Sequence, residues 1–307
     1  MSQTPSFAPL PSRAPVALSG PDWRGFLQGL ISQDVETLAP GEARFGALLT
    51  PQGRLLHDLF AVGGDDGCWL DVEAQHRAAL LQRLAMYRLR AKVEIAASDL
   101  PVSALFASEP LPLAGRGWGG GAGSDSAGSQ PTPPLPTLSP QGGEGFVADP
   151  RLRALGWRGY GATQPDGANL ADEAAYLAHS LALGVPGPAD WGSDKTYPIE
   201  ANFDLLNGID FRKGCFVGQE TTSRMKRRGQ VKSRMLPIAV EGPPLPAGAE
   251  VLAGELRAGV VTSAGEGRAM ALLRLDRIEG ASLTADGRPV TVERPAWLLA
   301  ALGVEAA

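Results

Sequence analysis

A chain of 307 residues exceeds one small core and suits a large domain, or two to three modules of about 150 residues each. Apolar residues at 44%, charged residues at 20% and a formal net charge of −5 describe a globular protein without general attraction for polyanions, so any nucleic-acid role needs a local patch. Two cysteines, Cys68 and Cys215, and three scattered histidines exclude a disulfide scaffold and offer no metal-ligand spacing, which leaves the expectation of a reduced intracellular protein with no intrinsic metal.

The first 15 residues hold four prolines, Arg13 and no acid, a poor fit to a targeting helix, and residues 1–13 are expected to be a loose tail. No run reaches the ~18 apolar residues of a membrane span, so no membrane partner is expected. Residues 14–18 alternate like a strand, and Ser19-Gly20-Pro21-Asp22 reads as a turn into a helix with Trp23, Phe26, Leu27, Leu30 and Ile31 on one face. Residues 44–50 and 54–62 form two strands joined by Pro51-Gln52-Gly53, followed by a strand at 68–72. A helix over 74–89 is predicted to bury Ala78, Leu81, Leu84, Ala85 and Leu89, and strands follow at 92–96 and 102–107. This order argues for an α+β class rather than a doubly wound parallel sheet.

Residues 114–145 are rich in Gly, Pro and Ser and are expected to be a disordered insert. It separates a first α+β part, 14–113, from a second, 146–230. A helix over Asp172–Ala182 stops at Gly184 with Pro186 just beyond. From 231 to 307, short strands between Gly/Pro turns (235–240, 257–263, 268–275, 289–293) predict a small closed barrel.

The most distinctive segment is Lys213-Gly214-Cys215-Phe216-Val217-Gly218-Gln219-Glu220. Glycines four apart permit a tight loop in which backbone N–H groups approach a ligand, and cationic neighbours favour the thiolate of Cys215. Between 212 and 234, eight basic side chains face one acid, Glu220, a local surplus of +7, and the basic stretch over 224–234 is expected to be a hairpin. Upstream, Glu200 and Asn202 offer a carboxylate and an amide of the kind that hold a heteroaromatic ring, and Tyr176 is placed to stack on a planar ligand. No Walker loop and no G-x-G-x-x-G is present.

The run 197–203, then Gly208-Ile209-Asp210-Phe211, then the octapeptide with Thr221, Ser223 and Arg224, resembles the YgfZ family of folate-binding proteins, relatives of the glycine-cleavage T-protein. The resemblance extends through 20–22, 26–29, 34–35, 49–54 and 149–151. It implies an aminomethyltransferase-like ring of three subdomains, two α+β and a C-terminal β-barrel, around an opening that binds tetrahydrofolate non-covalently. It further implies work on [4Fe-4S] cluster assembly or maintenance, with indirect support of tRNA modification and without direct contact to nucleic acid. Its partners would be folate and iron–sulfur assembly factors or client cluster enzymes, in a bacterial cytoplasm or a mitochondrial matrix. Cys215 and Lys213 carry over as the reactive pair, and Tyr176, Glu200, Asn202, Gly214, Gly218, Gln219, Glu220 and Arg224 as ligand contacts, with Cys215 expected at or near the rim of the folate cavity. Two positions depart from the family: Arg13 stands where an aromatic contacts folate, and Ala182 where glutamate is frequent. Two other readings stay open: a folate-dependent aminomethyltransferase, and an RNA-binding module using 224–234.

Overall fold

A computed structural model describes residues 4–107, 145–229 and 231–302. In chain order the strands are β1 (Pro5–Pro9), β2 (Arg13–Ser19), β3 (Ala43–Leu49), β4 (Leu55–Gly63), β5 (Gly67–Glu73), β6 (Glu94–Ala97), β7 (Val102–Ala107), β8 (Gly145–Ala148), β9 (Trp157–Tyr160), β10 (Asn169–Leu170), β11 (Ser233–Val240), β12 (Glu250–Ala253), β13 (Leu256–Gly265), β14 (Arg268–Arg274), β15 (Leu283–Ala285) and β16 (Arg288–Val292). The helices are α1 (Trp23–Gln28), α2 (Arg77–Arg88), α3 (Glu173–Ala182), α4 (Pro188–Trp191), α5 (Gln219–Arg228), α6 (Leu275–Ile278) and α7 (Ala296–Leu302).

They build two five-stranded sheets, ordered β3-β4-β5-β2-β6 and β10-β1-β7-β9-β8, and a closed barrel ordered β11-β14-β13-β12-β15-β16. The architecture is therefore α+β with a C-terminal barrel. Helices α1 and α2 cover the first sheet through Leu18, Leu27, Ile31, Leu70 and Leu84. A second cluster joins that sheet to the barrel: Phe45 and Phe60 meet Phe203, Phe216, Met235 and Met270, with the Phe45 and Phe203 rings 4.5 Å apart.

Four expectations change. The loose tail over 1–13 is overturned because residues 5–9 form β1, which pairs with β7 from Pro5↔Ala107 to Pro9↔Ser103. Its two prolines sit at the strand ends, where a missing N–H is tolerated, while Phe7 is buried against Phe146. The second sheet also pairs strands from both sides of the 114–145 insert, which lies outside the described residues except for Gly145 at the start of β8. In α2 the buried positions are Leu80 and Leu84, whereas Ala78 and Ala85 are exposed and Leu89 lies beyond the helix. The basic stretch at 224–228 belongs to a helix rather than a hairpin: Thr222 and Met225 face inward with the charges outward, and Gly229 ends α5 at φ +62°.

Between the two sheets lies a buried ionic network. Arg13 of β2 donates to Asp58 of β4 (2.8 Å) and Asp71 of β5 (2.7 Å), and Arg158 of β9 reaches Asp71 from the other sheet at 2.6 Å. Tyr160 donates to the same Asp71 carboxylate at 2.9 Å. Asp149, just past β8, holds Arg151 through two oxygens (3.0 and 2.7 Å). The three guanidiniums surround the Phe60 ring, Arg158 closest at 3.9 Å from its centroid. Burial alone would push Asp71 up, but the charges of Arg13 and Arg158 outweigh it and hold the carboxyl below the usual range; Arg151 does the same for Asp149.

Removing one member leaves the others charged and buried. Asp71→Ala is expected to cost about 3–5 kcal/mol of unfolding free energy in urea titration. Because the folded-state pKa values are depressed, this stabilisation is complete above the ordinary Asp value of about 3.9 and is lost as pH falls further. Acid unfolding followed by circular dichroism should begin below about pH 4 in the parent and be shallower in the variant.

Candidate functional site

The octapeptide forms an exposed loop that runs into α5. Lys213 anchors its start: the ammonium donates to the main-chain carbonyls of Gln28 (2.8 Å), the last residue of α1, and of Ile31 (2.7 Å) and Gln33 (2.8 Å) just beyond it. Burial pushes this ammonium down to about 8. Phe216 is buried in the cluster between sheet and barrel, and the Val217 N–H donates to Gly29 O at 3.2 Å. Gly218 has φ +81°, and a Cβ there would lie 2.5 Å from the Thr50 carbonyl and 2.9 Å from Leu49 Cβ. Gly53 meets it from the other side: its own Cβ would lie 3.0 Å from Gly218 O. Two glycines thus let the β3–β4 turn and the start of α5 approach backbone to backbone.

Between these anchors Gly214 and Cys215 are exposed. The other thiol, Cys68, is buried among Leu18, Leu70 and neighbours, and burial pushes it up to about 12. Cys215 is therefore the accessible thiol of the pair. The expected reactive role of Lys213 is revised by its geometry, since all three of its donors go to main-chain oxygens and it acts as a clamp. Gly218, Gln219 and Glu220 line an open groove of about 1040 Å3 with Pro51, Tyr87 and Phe211. Arg224 is exposed and pairs with Glu220 one helical turn before it.

Glu200 and Asn202 lie elsewhere and serve the fold. Glu200 accepts from the Tyr197 N–H at 3.0 Å and closes its own turn, and burial pushes its carboxyl up. Asn202 is fully buried with φ +61°; its amide donates to Met235 O (2.7 Å) and accepts from Arg234 (3.0 Å). Arg234 also grips Asp204 at 2.9 Å, which ties the 197–204 segment to the first barrel strand. Asn202 is thus engaged inside the fold and the half-buried Glu200 holds its own turn, and neither lines the groove in front of α5.

Tyr176 borders a different cavity, of about 360 Å3, between the two sheets, α3 and the barrel. Arg13, Phe60, Arg151 and Arg158 form one wall, and Leu177, Leu181, Val185 and Pro186 of the α3 region form the other. Tyr176 OH accepts from Arg151 at 3.0 Å and donates to Asp149 at 3.3 Å, so its orientation is fixed by the buried network. Asp190 closes one side, accepting from Thr262 (2.7 Å), Ser263 (2.6 Å) and the Gly187 N–H (2.7 Å), and burial pushes its carboxyl up. Neither Cys215 nor any other octapeptide residue lines this cavity. Sequence reasoning missed Phe60, Arg151, Arg158 and Asp190 as lining residues. For Arg158 a signal existed: a charge between Trp157 and Tyr160 in a short strand has to find a buried partner.

The C-terminal β-barrel domain of CAF17 matches residues 232–299, the barrel described above. The "Iron-sulfur cluster assembly factor IBA57 homolog, mitochondrial" of Neurospora crassa is 34% identical over 242 residues, covering 74% of this chain; the chain spans about half of that relative, 52%. The mouse iron–sulfur cluster assembly factor IBA57 is 30% identical over 305 residues, 88% of this chain and 78% of its own length, and the human protein is 29% identical over 296 residues with the same two coverages. Among solved structures, glycine cleavage system aminomethyltransferase T from Bartonella henselae superposes with a TM-score of 0.73 at 18% identity, over 96% of this chain and 87% of that one, a likeness of fold.

Two glycines of the octapeptide should differ in their tolerance of a side chain. Gly218→Ala meets backbone strain of about 1–3 kcal/mol as well as the Thr50 and Leu49 contacts, and should lower the urea midpoint clearly. Gly214→Ala points into open space and should stay within about 0.5 kcal/mol of the parent. Equal midpoints for the two variants would mean that the turn and α5 are not held together as described.

Proposed function

The chain belongs to the YgfZ/IBA57 family of iron–sulfur cluster assembly factors, and from that premise we propose a tetrahydrofolate-binding accessory factor whose working thiol is Cys215. The observation that carries the reading is that thiol: Cys215 stands exposed between two rigid anchors, the Lys213 clamp and the Gly218–Gly53 contact. A thiol fixed at the surface suits exchange with a partner-bound cluster, which here is cargo. A buried thiol such as Cys68 does not.

The cavity beside Tyr176 suits the bicyclic head of a reduced folate. Its volume of about 360 Å3 lies within the ~300–1,000 Å3 of small-molecule sites, and it joins an apolar wall to a polar one. The charges of Arg13, Arg151 and Arg158 are balanced by Asp58, Asp71 and Asp149, and Glu173 and Asp190 add acceptors at the cavity. A wall without net positive charge favours the N–H-rich head over the anionic glutamate tail. When bound, a reduced folate would supply one-carbon or redox chemistry; Leu177 and Val185 would hold its apolar surface, and the carboxylates of Glu173 and Asp190 would accept from its ring N–H groups. Because the octapeptide does not line this cavity, folate acts as a bound ligand at a distance from the thiol. Support of tRNA modification follows indirectly, through a cluster-dependent methylthiolase. The compartment proposed with this role is the mitochondrion, as in the names of the relatives, or a bacterial cytoplasm.

Calorimetric titration with tetrahydrofolate and its 5-formyl derivative tests the ligand. We expect one saturable site in the parent and in Cys215→Ser, and binding weakened about tenfold or more in Leu177→Arg, which fills the cavity from a half-exposed position. Absence of heat with either folate removes the ligand from the proposal. In cells lacking the parent gene, Cys215→Ser should fold normally yet fail to restore cluster-enzyme activity, and full restoration would make the thiol dispensable.

A further inference from the structure

The cavity beside Tyr176 holds more negative charge than its arginine wall offsets. Arg13, Arg151 and Arg158 are paired within the buried network by Asp58, Asp71 and Asp149. Glu173 and Asp190 line the same cavity, and their hydrogen-bond partners are neutral. Ser12 holds Glu173 through its N–H (3.3 Å) and its hydroxyl, while Asp190 accepts from Thr262 (2.7 Å), Ser263 (2.6 Å) and the Gly187 N–H (2.7 Å). Among the described residues no cation lies within ion-pair distance of either carboxylate. Three guanidiniums therefore stand against five carboxylates, an excess of two negative charges.

The two sets of carboxylates respond to burial in opposite directions. Arginine charges hold Asp71 and Asp149 low, whereas burial pushes Asp190 up and no arginine offsets it. Leu10, Leu181, Val185 and Pro186 add apolar lining. A charge among such groups is screened less than one in water, so the excess acts on whatever occupies the cavity. A neutral ligand head supplies N–H donors but leaves the excess standing. A ligand that brings its own positive charge offsets part of it.

We propose that the cavity selects a cationic one-carbon folate, 5,10-methenyltetrahydrofolate, over folates with a neutral head. The amidinium of this folate spreads one positive charge over N5, the bridging carbon and N10. A delocalised cation of that kind is weakly hydrated, as a guanidinium is, and enters an apolar cavity at lower cost than a compact ammonium. The inference rests on the folate reading and narrows it to one charge state of the ligand; it does not involve Cys215.

The test uses the equilibrium between two folates: the methenyl cation plus water gives 10-formyltetrahydrofolate plus a proton. The two ligands share head and tail and differ by one water and one charge. Absorbance of the methenyl chromophore, followed against pH with the full chain in excess, reads their affinity ratio as a shift of the midpoint. A tenfold preference for the cation moves the midpoint up by about one pH unit. We expect a rise of about that size or more in the parent, a smaller rise in Asp190→Asn and in Glu173→Gln, and a parent-like rise in Glu255→Gln, an exposed acid of the β12–β13 turn outside the cavity. Urea midpoints check that Asp190→Asn is folded, and Glu173→Gln supplies an independent reading if it is not. An unchanged or lowered midpoint in the parent overturns the proposal, as does a rise that survives in both cavity variants. Calorimetry separates this outcome from the folate reading itself. Saturable binding of tetrahydrofolate and its 10-formyl derivative without a midpoint shift keeps that reading and removes the charge selection, whereas no binding of any folate removes both.

Discussion

Asp71 is the point on which the arrangement turns. It is fully buried on β5, and its two oxygens face guanidiniums from different sheets, Arg13 on its own sheet and Arg158 on β9 of the other. A buried carboxylate costs several kcal/mol in desolvation unless it is paired with good geometry, and here two cations and the Tyr160 hydroxyl meet that condition together. The network therefore specifies how the sheets face each other more than it adds stability, because an apolar interface of the same volume could slide and this one cannot. Phe60 completes the constraint, with three guanidiniums held around one ring.

The same constraint creates the cavity. Arg151 and Asp149 hold Tyr176 of α3 in place, and the cavity is the space left between Arg13, Arg151 and Arg158 on one side and Leu177, Val185 and Pro186 on the other. The exposed loop with Cys215 is built independently, from Lys213, Phe216 and the contact of Gly218 with Gly53. Its link to the cavity runs through Phe216, which shares a packed cluster with Phe60. The protein thus has a ligand-sized interior space and a surface loop that are mechanically connected yet chemically separate.

Much of this was legible beforehand. The β3–β4 hairpin, the α3 stop at Gly184 and the barrel strands follow from alternation and glycine placement, because those rules act over a few neighbouring residues. Strand β1 was hidden because its prolines signal a break, and only pairing with residues a hundred positions away shows that they sit harmlessly at its ends. Helix α5 was hidden by its charge: a run of basic residues looks like a solvated hairpin until Thr222 and Met225 are seen to share the inner face. The octapeptide stands out in the sequence, but the division of labour within it does not. A lysine beside a cysteine suggests activation, and nothing local says that three carbonyls from residues 28–33 already occupy it.

That lysine has one more consequence. Three converging carbonyl oxygens at 2.7–2.8 Å are the surroundings in which proteins often bind a free monovalent cation. Here the cation is tethered by its own side chain, so the loop's geometry requires no recruitment of an ion from solution and does not vary with the supply of one. The cysteine loop thereby has a shape insulated from the inorganic composition of its surroundings.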